Sequence, residues 1–388
     1  MHSVSSIGRL GLGLVLMPGF ALSACSDAGT TNQTGAAGAA GATGQSSAGS
    51  AGVTGTAGAN AGAGAGAGGT GGQGTAGGAG ASAAGTAGAT ATAGASGAAG
   101  AAGAGGGTGN PGAMPSEGCG TPAAQALMTY VKTPITVTGV TAKQAPRNYY
   151  LWLPEGYDPK RAYPLVFIGP GCGSDGMHGI QIQSATGKDA IIVGLDPSTD
   201  VDPQGRQCFD SQTFPDPEVP YFDQTLKAVE SKLCVDKSRI FIEGFSSGSW
   251  MANLIGCVDA GTVIRGQGNA SGCMQGVPAG ACTKPVAYFG VHNDPDPNNS
   301  YQCGTQNRDE KIKRNGCTNQ TMPYTPVGLT MPAGATIDCV QYVGCMKGYP
   351  VVFCTTKGVN PNHNPQDSSS TNLTTAAMWN FWTTLPSP

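Results

Sequence analysis

The chain has 388 residues, of which only 11% are charged, with a net charge of −3 and 64 glycines. It carries no basic block and no interleaving of aromatic with basic residues, so nucleic acid is not an expected partner. Its 13 cysteines include no Cys-x-x-Cys pair and its four histidines no cluster, so neither a metal nor another cofactor is expected.

The composition divides the chain into two materials. Arg9 precedes the apolar stretch "LGLGLVLMPGFALSAC", which is too short and too glycine-broken for a comfortable membrane span. Its end, Leu22-Ser23-Ala24-Cys25, resembles a bacterial lipobox, which implies a signal peptide over 1–24 and acyl chains on Cys25 that attach the protein to a membrane. Ser26 at the next position favours outer-membrane sorting. From Asp27 to Glu117 no charged residue intervenes, and Gly, Ala, Thr and Ser dominate. Such a segment has too little apolar area to offset its ordering entropy, so 25–117 reads as a flexible linker with a root-mean-square reach of ~50 Å. A collagen-like period is excluded, because no proline occurs between Pro18 and Pro111.

Residues 118–388 have the mixed composition and length of one folded domain, expected as a monomer. Setting Cys25 aside leaves twelve cysteines, an even set that in an exported domain predicts up to six disulfides of undetermined pairing. In chain order, strands are predicted at 147–154, 163–169 and 189–197, and an amphipathic helix at 221–234. A buried strand at 238–244 is followed by a helix at 247–257. Beyond these come a strand at 285–292, a short helix near 309–315, a strand at 349–354 and a last helix at 372–385. Continuously apolar strands alternating with helices predict an α/β domain around a mostly parallel central sheet flanked by helices.

The segment "RIFIEGFSSGSW" joins such a strand to such a helix through Gly244-Phe245-Ser246-Ser247-Gly248. A serine hydroxyl attacks a carbonyl only when a base takes its proton and when it stands clear of the backbone. A sharp strand-to-helix turn provides the exposure, and glycines on either side permit the strained turn and the close helix. The helix N-terminus adds free N–H groups for a developing oxyanion. Ser246 is therefore the candidate nucleophile. Chain order Ser, acid, His selects His363 as the base, since His2 lies in the signal region and His178 precedes the serine. His292, at the end of an apolar strand, reads as a hydrogen-bonded loop-orienting residue. The acid belongs after that strand, where Asp294 and Asp296 both qualify and spacing does not choose between them. Phe245 and Trp250 flank the elbow as candidates for substrate binding, with core packing the alternative for Trp250.

Four stretches, "RNYYLWLPEGYDPKRAYPLVF", "VDKSRIFIEGFSSGSWMANLIGC", "HNDPDPNNSYQCGTQNRDEKIKRNGC" and "CVQYVGCMKGYPVVFC", give residues 147–385 a family resemblance. The chain resembles the secreted feruloyl esterase and poly(3-hydroxybutyrate) depolymerase-like esterases, an α/β-hydrolase group. The family's His-Gly-Thr-Ala-Asp-Pro stands opposite His292-Asn-Asp-Pro-Asp296-Pro297, and the resemblance thereby implies Asp296 as the acid, with Asp294 at the threonine position. It also implies the backbone N–H groups of Cys172 and Ser247 as oxyanion donors. Two departures stand out. Pro170 replaces a histidine before Gly171-Cys172-Gly173, where a disulfide at Cys172 is an alternative brace. Asn362-His363-Asn364-Pro365 lacks the family's tryptophan.

What the resemblance implies is cofactor-free hydrolysis of an ester, polymeric or polymer-derived, by an exported protein. Esterified plant polysaccharide is the expected substrate. Polyhydroxyalkanoate is the near alternative, and a surface adhesion protein on a decayed hydrolase scaffold is the alternative of another class.

Overall fold

The computed structural model describes residues 112–387, except 180–181, 198–204, 211–215, 276, 278–279, 330, 332, 360–362 and 364–372. Cys25, the expected signal peptide and all but the last residues of the expected linker lie outside the described residues. The described chain is already engaged just before Gly118: the Met114 N–H donates to Asp236 Oδ1 at 3.0 Å, and Ser116 Oγ donates to the Leu233 carbonyl at 2.6 Å.

The strands are β1 (Val131–Thr136), β2 (Pro146–Trp152), β3 (Tyr163–Gly169), β4 (Ile191–Leu195), β5 (Val235–Phe245), β6 (Ile264–Ala270), β7 (Ala287–Asn293), β8 (Thr321–Pro323), β9 (Thr336–Tyr342) and β10 (Val351–Lys357). The helices are α1 (Gly176–Gly179), α2 (Gln183–Thr186), α3 (Glu218–Glu230), α4 (Ser247–Val258), α5 (Tyr301–Arg314) and α6 (Leu373–Thr383). One ten-stranded sheet runs β1-β2-β4-β3-β5-β6-β7-β10-β9-β8. Its centre, from β4 to β10, is parallel, and antiparallel pairs close both edges. The expected architecture, a mostly parallel central sheet flanked by helices, is what the chain adopts.

Successive strand residues face opposite sides, so the apolar runs feed two cores. On one face Leu165, Phe167, Ile240 and Ile242 pack with Phe222 and Leu226 of α3 and Met251 and Ile255 of α4. On the other face Val166, Ile168, Phe241 and Phe289 pack with Met378, Trp379, Phe381 and Trp382 of α6. Strands buried on both faces cannot alternate in polarity, which is why β3, β4 and β7 are apolar throughout or nearly so. β1 pairs only with β2, sits at the edge and alternates half-buried with exposed positions.

Several elements depart from expectation, among them β1, β8, β9 and the short α1 and α2, which have no predicted counterpart. α5 begins at Tyr301, well before Asp309, because its inner face is built from Gly304, Asn307, Lys311 and Ile312, which carry little apolar signal. β6 has no predicted counterpart. Its inward residues Gln267 and Asn269 are buried through hydrogen bonds, with Gln267 Nε2 donating to Asn253 Oδ1 at 2.7 Å and Asn269 Nδ2 to the Ser249 carbonyl at 2.9 Å. The twelve cysteines of the domain form six disulfides: 119–234, 172–208, 257–282, 273–303, 317–345 and 339–354.

Sheet order decides where a site can form. From β3 the chain turns to β4 on one side, and β5 lies on the other, so the carboxyl ends of β3 and β5 flank a switch point. Crevices in open α/β sheets open at such points. Gly169 and Gly244, paired in register, end at this crevice.

Candidate active site

The strand-to-helix turn after β5 is as sharp as the glycine spacing predicts. Ser246 has φ 54° and ψ −117°, a conformation that costs a non-glycine residue on the order of 1–3 kcal/mol. The glycines are needed for close approach. A Cβ on Gly244 would stand 2.1 Å from the carbonyl of Gly248, and one on Gly248 only 1.9 Å from the carbonyl oxygen of Gly169. Because backbone, rather than a movable side chain, fills that space, Gly248→Ala is expected to destabilise the fold by about 3 kcal/mol or more. A urea midpoint equal to that of the unaltered protein would refute the close-approach reading.

The turn delivers Ser246 Oγ to 2.9 Å from His363 Nε2. The other ring nitrogen, Nδ1, lies 2.9 Å from both carboxylate oxygens of Asp296. Thus Ser246, His363 and Asp296, the aspartate that the resemblance implied, meet from the ends of β5, β10 and β7. Asp294 is turned away, its carboxylate 3.7 Å from Lys357 Nζ.

Asp296 is held by more than His363. Its Oδ1 accepts from the N–H groups of Asn298 and Asn299 at 2.9 and 3.0 Å. His292 Nε2 lies 3.3 Å from Oδ2 and 2.8 Å from the Asn299 carbonyl. Both neighbours are acceptors, so Nε2 carries the proton and donates. Burial opposes the ionised carboxyl, but donation from His292, His363, Asn299 and Asn298 outweighs it and holds Asp296 well below the usual carboxylate range. The loop-orienting reading of His292 agrees with this contact. What sequence reasoning missed was its partner, Asp296, which lies four residues on across a turn.

The loop after β3 stands over the elbow. A Cβ on Gly171 would lie 3.3 Å from Ser246 Cβ and 3.1 Å from the Phe245 ring. Cys172, the expected oxyanion donor of this loop, is bonded to Cys208, and the Gly173 N–H donates to the Gln207 carbonyl at 2.8 Å. The segment carrying Cys208 is itself pinned: the Asp210 N–H donates to Glu218 Oε1 at 2.9 Å, and Glu218 pairs with fully buried Arg147 at 2.8 Å. The disulfide expected at Cys172 as an alternative brace for this loop is thus present. Ser247, the other expected donor, is the first residue of α4, where a backbone N–H has no intrahelical acceptor.

Phe245 closes one wall, half-buried, with its ring 5.1 Å from that of His363. Trp250 is not brought to the triad by any described contact. Its indole N–H is shielded from solvent and has no acceptor among the described residues. The side chain of His178 lies outside the described residues. Among the described residues no group of His, Cys, Asp and Glu is placed to hold a metal.

No protein-family model matches the chain. Feruloyl esterase D of Neurospora crassa is 29% identical over 287 residues, spanning 70% of this chain and 89% of that protein. Feruloyl esterase C of Emericella nidulans is 28% identical over 285 residues, spanning 69% and 90%. Among solved structures, the acetyl xylan esterase from Aspergillus awamori superposes with a TM-score of 0.46 at 12% identity, covering 60% of this chain and 94% of that one.

Proposed function

We propose that the protein is an exported serine carboxylic-ester hydrolase of the feruloyl-esterase kind, acting on esterified plant polysaccharide or on hydroxycinnamoyl esters released from it. The observation that carries this reading is the unbroken path Ser246 Oγ, His363 Nε2, His363 Nδ1, Asp296, each link at 2.9 Å. Similarity to feruloyl esterases over most of the folded region supports it.

In this reading Ser246 Oγ attacks the ester carbonyl while His363 Nε2 takes its proton. Asp296 fixes the proton of His363 on Nδ1 and stabilises the imidazolium. The tetrahedral oxyanion is received by the N–H groups of Cys172 and Ser247. His363 then gives its proton to the departing alcohol, leaving an acyl-Ser246. A water molecule, deprotonated by His363, attacks the acyl carbon and releases the carboxylic acid. Every step uses groups of the chain and water, and Phe245 offers an aromatic wall beside the acyl carbon.

Six disulfides support an extracytoplasmic protein. The lipobox-like segment supports a tether through acylated Cys25, with 26–117 as spacing chain before a monomeric domain.

The substrate class is tested with the purified protein on methyl ferulate and on a 3-hydroxybutyrate dimer ester. kcat/KM for methyl ferulate is expected to exceed that for the hydroxybutyrate ester by ~10-fold or more, since a pocket walled by an aromatic gains from an aromatic acyl group. The reverse order would move the assignment to polyester hydrolysis. No turnover of either ester, or of p-nitrophenyl acetate, would leave the decayed-scaffold alternative.

A further inference from the structure

At the opposite end of the parallel strands lies a second cluster that hydrolysis does not use. Arg239 is on the same strand as the approach to Ser246, and a rise of about 3.3 Å per residue separates the two by roughly 20 Å. Beside it on β6 is Arg265. Together with Thr383 and Ser387 these arginines line a polar cavity of about 190 Å³.

Two like charges share this cavity, and no carboxylate lines it among the described residues. Arg265 is 7% exposed, and donates from Nη1 to the Gly348 carbonyl at 2.8 Å and from Nη2 to the Pro386 carbonyl at 3.1 Å. Its Nε is buried with no acceptor. Arg239 lies 6.0 Å from the ring of Phe241 and makes no hydrogen bond or ion pair with a described residue. The carboxylates that act on it are committed elsewhere. Asp236 Oδ1 accepts from the Met114 N–H and from the N–H and Oγ of Ser238, while Asp189 pairs with Arg161 at 3.0 Å. Burial disfavours the charge on both guanidiniums, and Arg239 adds repulsion at Arg265. An anion entering the cavity would relieve both and supply the acceptor that Arg265 Nε lacks.

The cavity has a larger neighbour. A second space of about 460 Å³ shares Arg239 and Thr383 and is lined also by Arg161, Asp189, Asp236 and Trp379. Planar charged side chains beside an indole suit a ring that carries hydroxyl groups on an apolar body. We propose that the adjoining cavities bind a uronic acid residue, its carboxylate between Arg239 and Arg265 and its sugar ring in the larger space. Acidic sugars on a polysaccharide would then be held far from Ser246, which leaves the ester free to reach the elbow. The inference goes beyond ester hydrolysis and does not depend on it.

The test is calorimetric titration of the purified folded protein with sodium glucuronate, glucose, sodium acetate and sodium sulfate, at ionic strength matched with sodium chloride. Glucuronate is expected to bind saturably and ~10-fold or more tighter than the other three. Arg239→Gln is expected to weaken it ~10-fold or more, and Arg239→Lys, which keeps the charge but not the planar fork, less so. Turnover of p-nitrophenyl acetate should be the same in both variants as in the unaltered protein. Because binding is read directly, it reports on this site even if no ester is hydrolysed. Acetate or sulfate binding as tightly as glucuronate would overturn the sugar site, and so would equal glucuronate binding by Arg239→Gln or no saturable heat at all.

Discussion

Ser246→Ala is expected to lower kcat for p-nitrophenyl acetate by ~10⁴-fold or more while the protein stays folded. The variant removes one oxygen from a turn whose strain belongs to the backbone, since residue 246 keeps its positive φ whatever side chain it bears. Close backbone approaches at Gly244 and Gly248 also remain, so a melting temperature near that of the unaltered protein is expected. Loss of His363 should cost a similar factor. The double variant should be scarcely worse than either single one, because the two side chains act as one proton-transfer unit at 2.9 Å. Retention of a tenth of the activity by Ser246→Ala, with covalent fluorophosphonate labelling intact, would refute the assignment.

The second large effect is on stability and concerns Glu243, three residues before the nucleophile. The residue is 1% exposed, a Cβ on Gly268 of β6 would stand 3.1 Å from its Cβ, and neither carboxylate oxygen has a partner among the described residues. Burial alone pushes its pKa well above the ordinary carboxylate value. The sign follows directly. A raised folded pKa by itself costs no stability below the unfolded value near 4.3. As pH rises above that value the unfolded chain ionises while the folded chain holds its proton, so stability falls until the raised pKa is reached. Glu243→Met, similar in volume and apolar, removes a buried acceptor without a partner, an expected gain of about 1–3 kcal/mol at any pH. At pH 8 the cost of holding the proton in the folded chain adds to that gain. The gain should be smaller at pH 4. Urea unfolding at the two pH values measures this, and a pH-independent difference would show that ionisation adds nothing to it.

That residue also shows how sequence and structure divide the information. "RIFIEG" reads as a buried strand despite its glutamate, because one polar residue does not break an apolar run. Only packing shows that the glutamate has no partner among the described residues. β6 is the converse: "IRGQGNA" lacks an apolar run because its Gln267 and Asn269 are buried by donating hydrogen bonds to α4. Its glycines admit α6, since a Cβ on Gly268 would stand 2.3 Å from Met378 Sδ. Burial by hydrogen bonding leaves no periodic signature to read.

The sequence by itself determined the alternation of buried strands and helices, the elbow at Ser246 and the downstream order of acid and histidine. These depend on spacing within a few turns of chain or on order along it, and the steric needs of a tight turn translate directly into glycine. Spacing left Asp294 and Asp296 open and only the resemblance implied Asp296; the tertiary structure brings Asp296 to His363, pairs Cys172 with Cys208, and lets His292 donate to Asp296. It also brought Arg239 and Arg265 to one cavity. Each of those outcomes depends on side chains from different strands arriving within about 3–4 Å of one another. Such proximity is set by sheet order and register, which no local pattern encodes.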